Sequence, residues 1–246
     1  MPDDYPLLDR EPVEVRSPGA ETWYLLGALQ EAFPSGWVLI GGLMVYLLAA
    51  EAGQQPTRVT TDADVLVRAK VLSNGTIRIS EWLVQNGIEF EGATATEVGH
   101  RFSRDLISVD LLVQSHLGER AERRTVGQNV APEAVGGAGL LAAGELVQVE
   151  PSGGRIVSVP RPNLPAAIVG KAKASLRLEN PGRHRQDLAF LLGLVQEPVG
   201  VAALLSSSDR RTIARAGVGI EESRFWNSAN DDQAARAVLR ILGDTE

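Results

Sequence analysis

The chain has 246 residues, with 24 Lys and Arg against 31 Asp and Glu and a formal net charge of −7. Its 44% hydrophobic content is enough to bury a core and excludes global disorder. The absence of cysteine excludes a disulfide scaffold, thiol catalysis and Cys-ligated metal, and the acid excess excludes a sequence-independent nucleic-acid coat while leaving room for a local basic groove.

The start, Met1-Pro2-Asp3-Asp4, lacks the basic and apolar regions of a secretory signal, so a cytoplasmic protein is expected. Residues 1–16 are polar, carry three prolines and read as a flexible, extended arm. Ser17-Pro18 reads as an N-cap followed by proline at the first helical position, opening a helix that runs to Phe33. Trp37-Val38-Leu39-Ile40 is a short apolar run of the buried-strand type. Gly41-Gly42 follows, then an apolar helix over 43–52. The whole apolar stretch 37–50 falls short of the ~20 residues of a membrane span, and the two glycines interrupt it, so no membrane partner is expected.

A polar loop over 53–58 leads to a second strand over 59–67, and a helix is expected over 74–86. Three strands follow, over 88–91, 97–103 and 106–113, with Arg104-Asp105 as a tight turn between the last two. Pro151-Ser152-Gly153-Gly154 predicts a hairpin between strands over 147–150 and 155–159. The prolines at 160, 162 and 165 mark the expected boundary between an α/β domain, 1–160, and a helical domain, 161–246. Helices are predicted over 166–180, 184–195, 198–206, 208–216 and 229–242. The expected architecture is therefore a small mixed sheet flanked by helices, followed by a C-terminal helical bundle.

The segment richest in chemistry is Thr60-Thr61-Asp62-Ala63-Asp64-Val65-Leu66-Val67. In a strand, residues i and i+2 share a face, so Asp62 and Asp64 stand side by side. Like charges that close repel, unless a divalent cation bridges them. Magnesium favours such hard oxygen ligands and commonly binds one or two carboxylates plus substrate phosphates. Asp110 is a third carboxylate, set in the apolar run Ser108-Val109-Asp110-Leu111-Leu112-Val113. If the two strands are neighbours, the three carboxylates converge and can hold two metal ions. Gly41-Gly42, between a strand and a helix, lets a ligand approach the backbone, and the helix N-terminus beyond it offers free N–H groups to a phosphate.

Residues 155–185 hold seven Arg and Lys against Glu179 alone, a local net charge of +6 in a chain of −7. Such a face can hold a triphosphate or an RNA end. Lys171 and Asp187 fall on successive helices, and Lys171 is placed to meet a phosphate as a point charge. Lys173 and Arg177 read as weaker candidates, and His100 and Arg101 stand one hairpin before the Asp110 strand. His116 and His184 have no metal-ligand spacing. Gly137-x-Gly139-x-x-Ala142 matches a dinucleotide fingerprint in letters only, because a poor strand precedes it and no acidic strand end follows.

Gly41-Gly42, Asp62-x-Asp64 and Asp110 together resemble the DNA polymerase β-type nucleotidyltransferase fold. The downstream segments Val157–Pro162, Ala166–Lys171 and Arg183–Leu188 are similar to the AbiEii-type nucleotidyltransferases, toxins of bacterial toxin–antitoxin and abortive-infection systems. The resemblance covers roughly residues 20–195, with a spacer over 43–61 longer than in minimal members of the fold. It implies transfer of a nucleoside monophosphate from an NTP to a macromolecular hydroxyl, such as a tRNA 3′ end or a protein. It also implies Mg²⁺ or Mn²⁺ on Asp62, Asp64 and Asp110, phosphates over Gly41, Gly42 and Lys171, and a cognate antitoxin. Asp187 would orient Lys171 or Arg183, or act on the acceptor. Two other readings use the same residues: a catalytically silent nucleotide-binding protein that works through partners, and a metal-dependent phosphodiesterase.

Overall fold

In the computed structural model, residues 5–56, 58, 60–69, 74–92, 100–115, 123–220, 223–227, 229 and 231–244 are described. Val13–Val15 (β1) opens the fold, with Val13 and Val15 buried and Glu14 exposed. The expected arm is thus anchored: β1 pairs in parallel with a strand more than 130 residues downstream, through Val13 opposite Val149. Ala20–Ala32 (α1) starts later than expected, with Gly19 in the cap position and no side-chain cap hydrogen bond. Ser17 is therefore not the N-cap.

Trp37–Ile40 (β2) is fully buried, as an uninterrupted apolar run requires. It passes directly into Gly41–Glu51 (α2), with the chain turning at Gly41 in the left-handed region. Asp62–Val67 (β3) alternates part-exposed Asp62 and Asp64 with buried Ala63 and Val65 before becoming wholly buried. Gly75–Gln85 (α3), Glu89–Phe90 (β4), Arg101–Arg104 (β5) and Ile107–Gln114 (β6) follow. The β5–β6 turn falls on Asp105-Leu106, one residue beyond the expected Arg104-Asp105, with Asp105 in the left-handed region at φ 53°. Aspartate tolerates that conformation because its short side chain bonds locally. His116, Val59 and the first part of the strand expected over 97–103 lie outside the described residues.

Glu133–Ala134 (β7) adds a two-residue strand beside β6, and Gly137–Ala142 (α4) follows it. These strands form one mixed sheet in the order β2-β3-β6-β5-β4, with β7 on the end of β6. Its centre decides the site: β3 and β6 run parallel, in a register that sets Asp62 against Ser108 and Asp64 directly against Asp110. Gly144–Pro151 (β8) and Val157–Pro162 (β9) make the expected hairpin, longer at both outer ends, and with β1 they form a second, three-stranded sheet. A buried ion network fastens this sheet to α2: Arg161 on β9 bonds Glu51 at the end of α2 and Glu145 on β8, and Arg10 also reaches Glu51.

Among the described residues six helices follow: Leu164–Arg177 (α5), Gly182–Gly193 (α6), Pro198–Leu204 (α7), Ser207–Gly219 (α8), Ser223–Trp226 (α9) and Asp232–Gly243 (α10). The start of α5 is set by Asn163, whose side chain accepts from the Ala166 N–H at 3.1 Å. Helix α5 packs on α4, α6 and α8, and α10 packs on α6, α7 and α8. One apolar cluster extends from Tyr5 to Leu242 through both sheets and these helices. Among the described residues no single helix is long and apolar enough to cross a membrane.

Candidate active site

The registers above bring three carboxylates to one face of the main sheet. Asp62 and Asp64 share that face by strand periodicity, and Asp110 faces it from the next strand. They floor a cleft of about 780 Å³, which Gly41 and Gly42 bound on one side. The loop between α5 and α6 and the first two turns of α6 close the other, contributing Asn180, Arg183, His184 and Asp187.

The glycine turn fits around Asp64. Gly41 has φ +73°, and a Cβ there would lie 1.6 Å from Asp64 Oδ2. Only glycine lets the helix start this close to a carboxylate. The cap residue of helix α2, Ile40, offers no side-chain hydrogen bond to the N–H groups of the first turn.

Burial pushes the Asp64 carboxyl up to about 6; the Lys171 cation draws it down, while Asp110 and Asp62 push it further up. Such a carboxylate calls for positive charge. Asp110 already has a partner. Arg101, directly across the β5–β6 pair, donates from Nε to Asp110 Oδ1 at 2.8 Å and from Nη2 to Oδ2 at 2.7 Å. The hydrogen bond to Asp110 raises the guanidinium's own pKa further, so Arg101 is permanently charged. The same Nη2 stands 4.0 Å from Asp62 Oδ2. Among the described residues, no group of three or more His, Asp and Glu is arranged to hold a metal ion. The three carboxylates expected as ligands are therefore brought together on one face, but with a guanidinium set against Asp110. Asp62 and Asp64 retain the donor chemistry for one divalent cation.

Lys171 and Asp187 form a buried pair, Nζ donating to Oδ2 at 2.6 Å. Of the roles open to Asp187, contact with Lys171 is the one the geometry contains. Arg58 joins it, with Nη2 3.6 Å from the same Asp187 oxygen. Arg58 and His184 are the residues that sequence reasoning missed. Arg58 Nε and His184 Nδ1 are buried atoms with no hydrogen-bond partner among the described residues. Burial pushes His184 down to about 4, with Lys171 nearby adding to the effect. Lys173 is elsewhere, 3.0 Å from Asp209 on α8, and Arg177 lines a separate surface cavity. His100 does not line the cleft, whereas Arg101 does.

A second chamber of about 320 Å³ opens beside the cleft. Its walls are apolar, including Ile40, Met44, Leu112, Val135, Leu140 and Leu178, and it shares Gly41, Asp64, Lys171 and His184 with the cleft. The arrangement combines a polar cleft, cations from three elements and an apolar annex.

No family model matches the chain, and no curated protein matches it. Among solved structures, it is similar to the crystal structure of an antigenic nucleotidyltransferase-like protein from Paracoccidioides brasiliensis. The TM-score is 0.51 at 12% sequence identity, over 85% of this chain and 94% of that one. The chain therefore has a mixed α/β fold similar to that of a nucleotidyltransferase-like protein.

Proposed function

We propose that the chain is a nucleotidyltransferase that moves a nucleoside monophosphate from an NTP to an acceptor hydroxyl. The observation that carries this reading is the meeting of Asp62, Asp64 and Asp110 on one sheet face with the uncapped N-terminus of α2. The triphosphate lies over Gly41 and Gly42, where helix N–H groups and the positive dipole end favour it. Arg58, Lys171 and Arg183, which also line the cleft, supply countercharge. The apolar chamber takes the base, stacked away from the charged cleft.

Asp62 and Asp64 would hold Mg²⁺ or Mn²⁺, which would supply charge neutralisation for the phosphates. Asp110, held in place by the Arg101 fork, accepts a hydrogen bond from the acceptor hydroxyl and orients it. A bond forms between the acceptor oxygen and the α-phosphorus, the bond to pyrophosphate breaks, and the hydroxyl proton leaves toward Asp110 or solvent. Positioning of this kind provides most of the catalysis in phosphoryl transfer.

The AbiEii-type resemblance extends the proposal to a toxin acting in the cytoplasm, with a tRNA 3′ end or a protein as acceptor and a cognate antitoxin as partner. The test is incubation of the purified chain with each labelled NTP and total tRNA or total protein, with and without Mg²⁺. Transfer by the wild type and its loss in Asp64→Ala, with folding unchanged, is the expected result; transfer that survives the substitution overturns the mechanism. One observation favours a second reading, in which the nucleotide is bound but not turned over: Asp110 is engaged by Arg101. NTP binding with no labelled product would select it.

A further inference from the structure

Asp110 has a different neighbour on each side. Across β3 it faces the carboxylate of Asp64, and across β5 it faces the guanidinium of Arg101. The guanidinium takes both Asp110 oxygens, at 2.8 and 2.7 Å. Charge-assisted forks of this kind are among the strongest hydrogen bonds a protein makes. Asp110 is only 8% exposed, so little solvent competes for it. Arginine cannot deprotonate to make way for another cation. A divalent ion on Asp110 would have to break the fork and sit beside a permanent positive charge.

We propose that Arg101 is a resident cation of this site: it occupies Asp110, so that the cleft binds one divalent ion, on Asp62 and Asp64, where three free carboxylates would bind two. The inference rests on the reading of the cleft as a nucleotidyl-transfer site and concerns its metal count. Arg101 is placed for this by register. Its strand partner is Asp110 itself, and its Nη2 also approaches Asp62, so one side chain spans the gap between the outer two carboxylates. The guanidinium thereby supplies, without exchange, one positive charge where a second ion would bring two.

The experiment counts Mn²⁺ bound to the full chain, by loss of the free-ion electron paramagnetic resonance signal on titration with the metal alone. The wild type should bind one ion per chain. Arg101→Gln should bind two, the second about tenfold tighter or more than any second ion on the wild type, because the positive charge that occupied Asp110 is gone. Asp110→Asn should still bind one, within about twofold of wild-type affinity, whereas Asp62→Asn and Asp64→Asn should abolish binding.

Two ions on the wild type, one of them lost in Asp110→Asn, would overturn the proposal. So would no ion on the wild type, or a single ion on folded Arg101→Gln. The wild type and Asp110→Asn decide the matter even where Arg101→Gln fails to fold. Labelled-NTP transfer on the same samples separates the two readings. Transfer with two ions bound keeps the function and removes the inference; one ion without transfer does the reverse.

Discussion

The α-carbon of Gly41 lies so close to the Asp64 carboxylate that a Cβ at position 41 would stand 1.6 Å from Oδ2. Helix α2 and strand β3 are locked together at the point where the proposed phosphate and metal subsites meet. Gly41→Ala is expected to cost about 1–2 kcal/mol from the left-handed backbone alone, and to displace the carboxylate as well. Thermal denaturation should show a lowered midpoint, and labelled-NTP transfer should be lost. The double variant Gly41→Ala/Asp64→Ala should be more stable than Gly41→Ala alone, because the clash is gone, yet equally inactive. Wild-type transfer by Gly41→Ala would show that Asp64 need not stay where it is.

Lys171 and Asp187 make a different kind of pair, 5% and 6% exposed and bonded at 2.6 Å. Removing one partner strands a buried charge, a loss of roughly 3–5 kcal/mol in comparable cases. Lys171→Met should fall at the low end, since Arg58 remains 3.6 Å from Asp187. Urea denaturation of Lys171→Met, Asp187→Leu and the double variant tests this. The double variant should regain most of the lost stability but not NTP affinity, because Lys171 is read as a phosphate contact. Full NTP affinity in the double variant would assign the pair to folding alone.

Arg161 provides the contrast. It is 2% exposed, and burial opposes its charge, but the hydrogen bonds and charge of Glu51 and Glu145 hold its pKa above the ordinary arginine value. The network pins the C-terminal end of α2, whose N-terminal end is the site. Arg161→Met should destabilise the fold by about 3–5 kcal/mol while NTP affinity stays unchanged, read by denaturation and by nucleotide binding below the melting range. A matching fall in affinity would mean that the far end of α2 sets the geometry of its first turn.

The parts of the site that are legible in the sequence are those encoded over a few residues. Asp62-x-Asp64 follows from the two-residue period of a strand, and Gly41-Gly42 from its place between an apolar run and a helix. The Arg101–Asp110 pair depends on one residue of register. A turn on Arg104-Asp105 sets Arg101 opposite Ser108, whereas the turn found on Asp105-Leu106 sets it opposite Asp110. Arg58 carried no local signal, because only the docking of α6 against α2 brings Asp187 to it. The anchoring of β1 was hidden for the same reason, its partner β8 being distant in the chain. Helix α4 was obscured by its glycines, which carry little helix propensity.

His184 makes a prediction about pH. Burial first, and then the Lys171 cation, lower its pKa to about 4, with Arg58 and Arg183 acting in the same direction and Asp187 opposing them. The folded state thus prefers the neutral ring, while the unfolded chain titrates near the ordinary histidine value of about 6.5. Above that value both states are neutral and the stability from this residue is fully present. As pH falls from about 6.5 toward 4 the unfolded chain gains a proton that the folded one refuses, so stability is lost across that window. The loss should be roughly 2 kcal/mol, allowing for partial solvent screening of the ring. Denaturation midpoints of the wild type and His184→Gln between pH 4 and 7 measure it. The variant should lack this part of the slope, and parallel pH profiles would show that His184 is protonated in the folded protein as readily as in the unfolded chain.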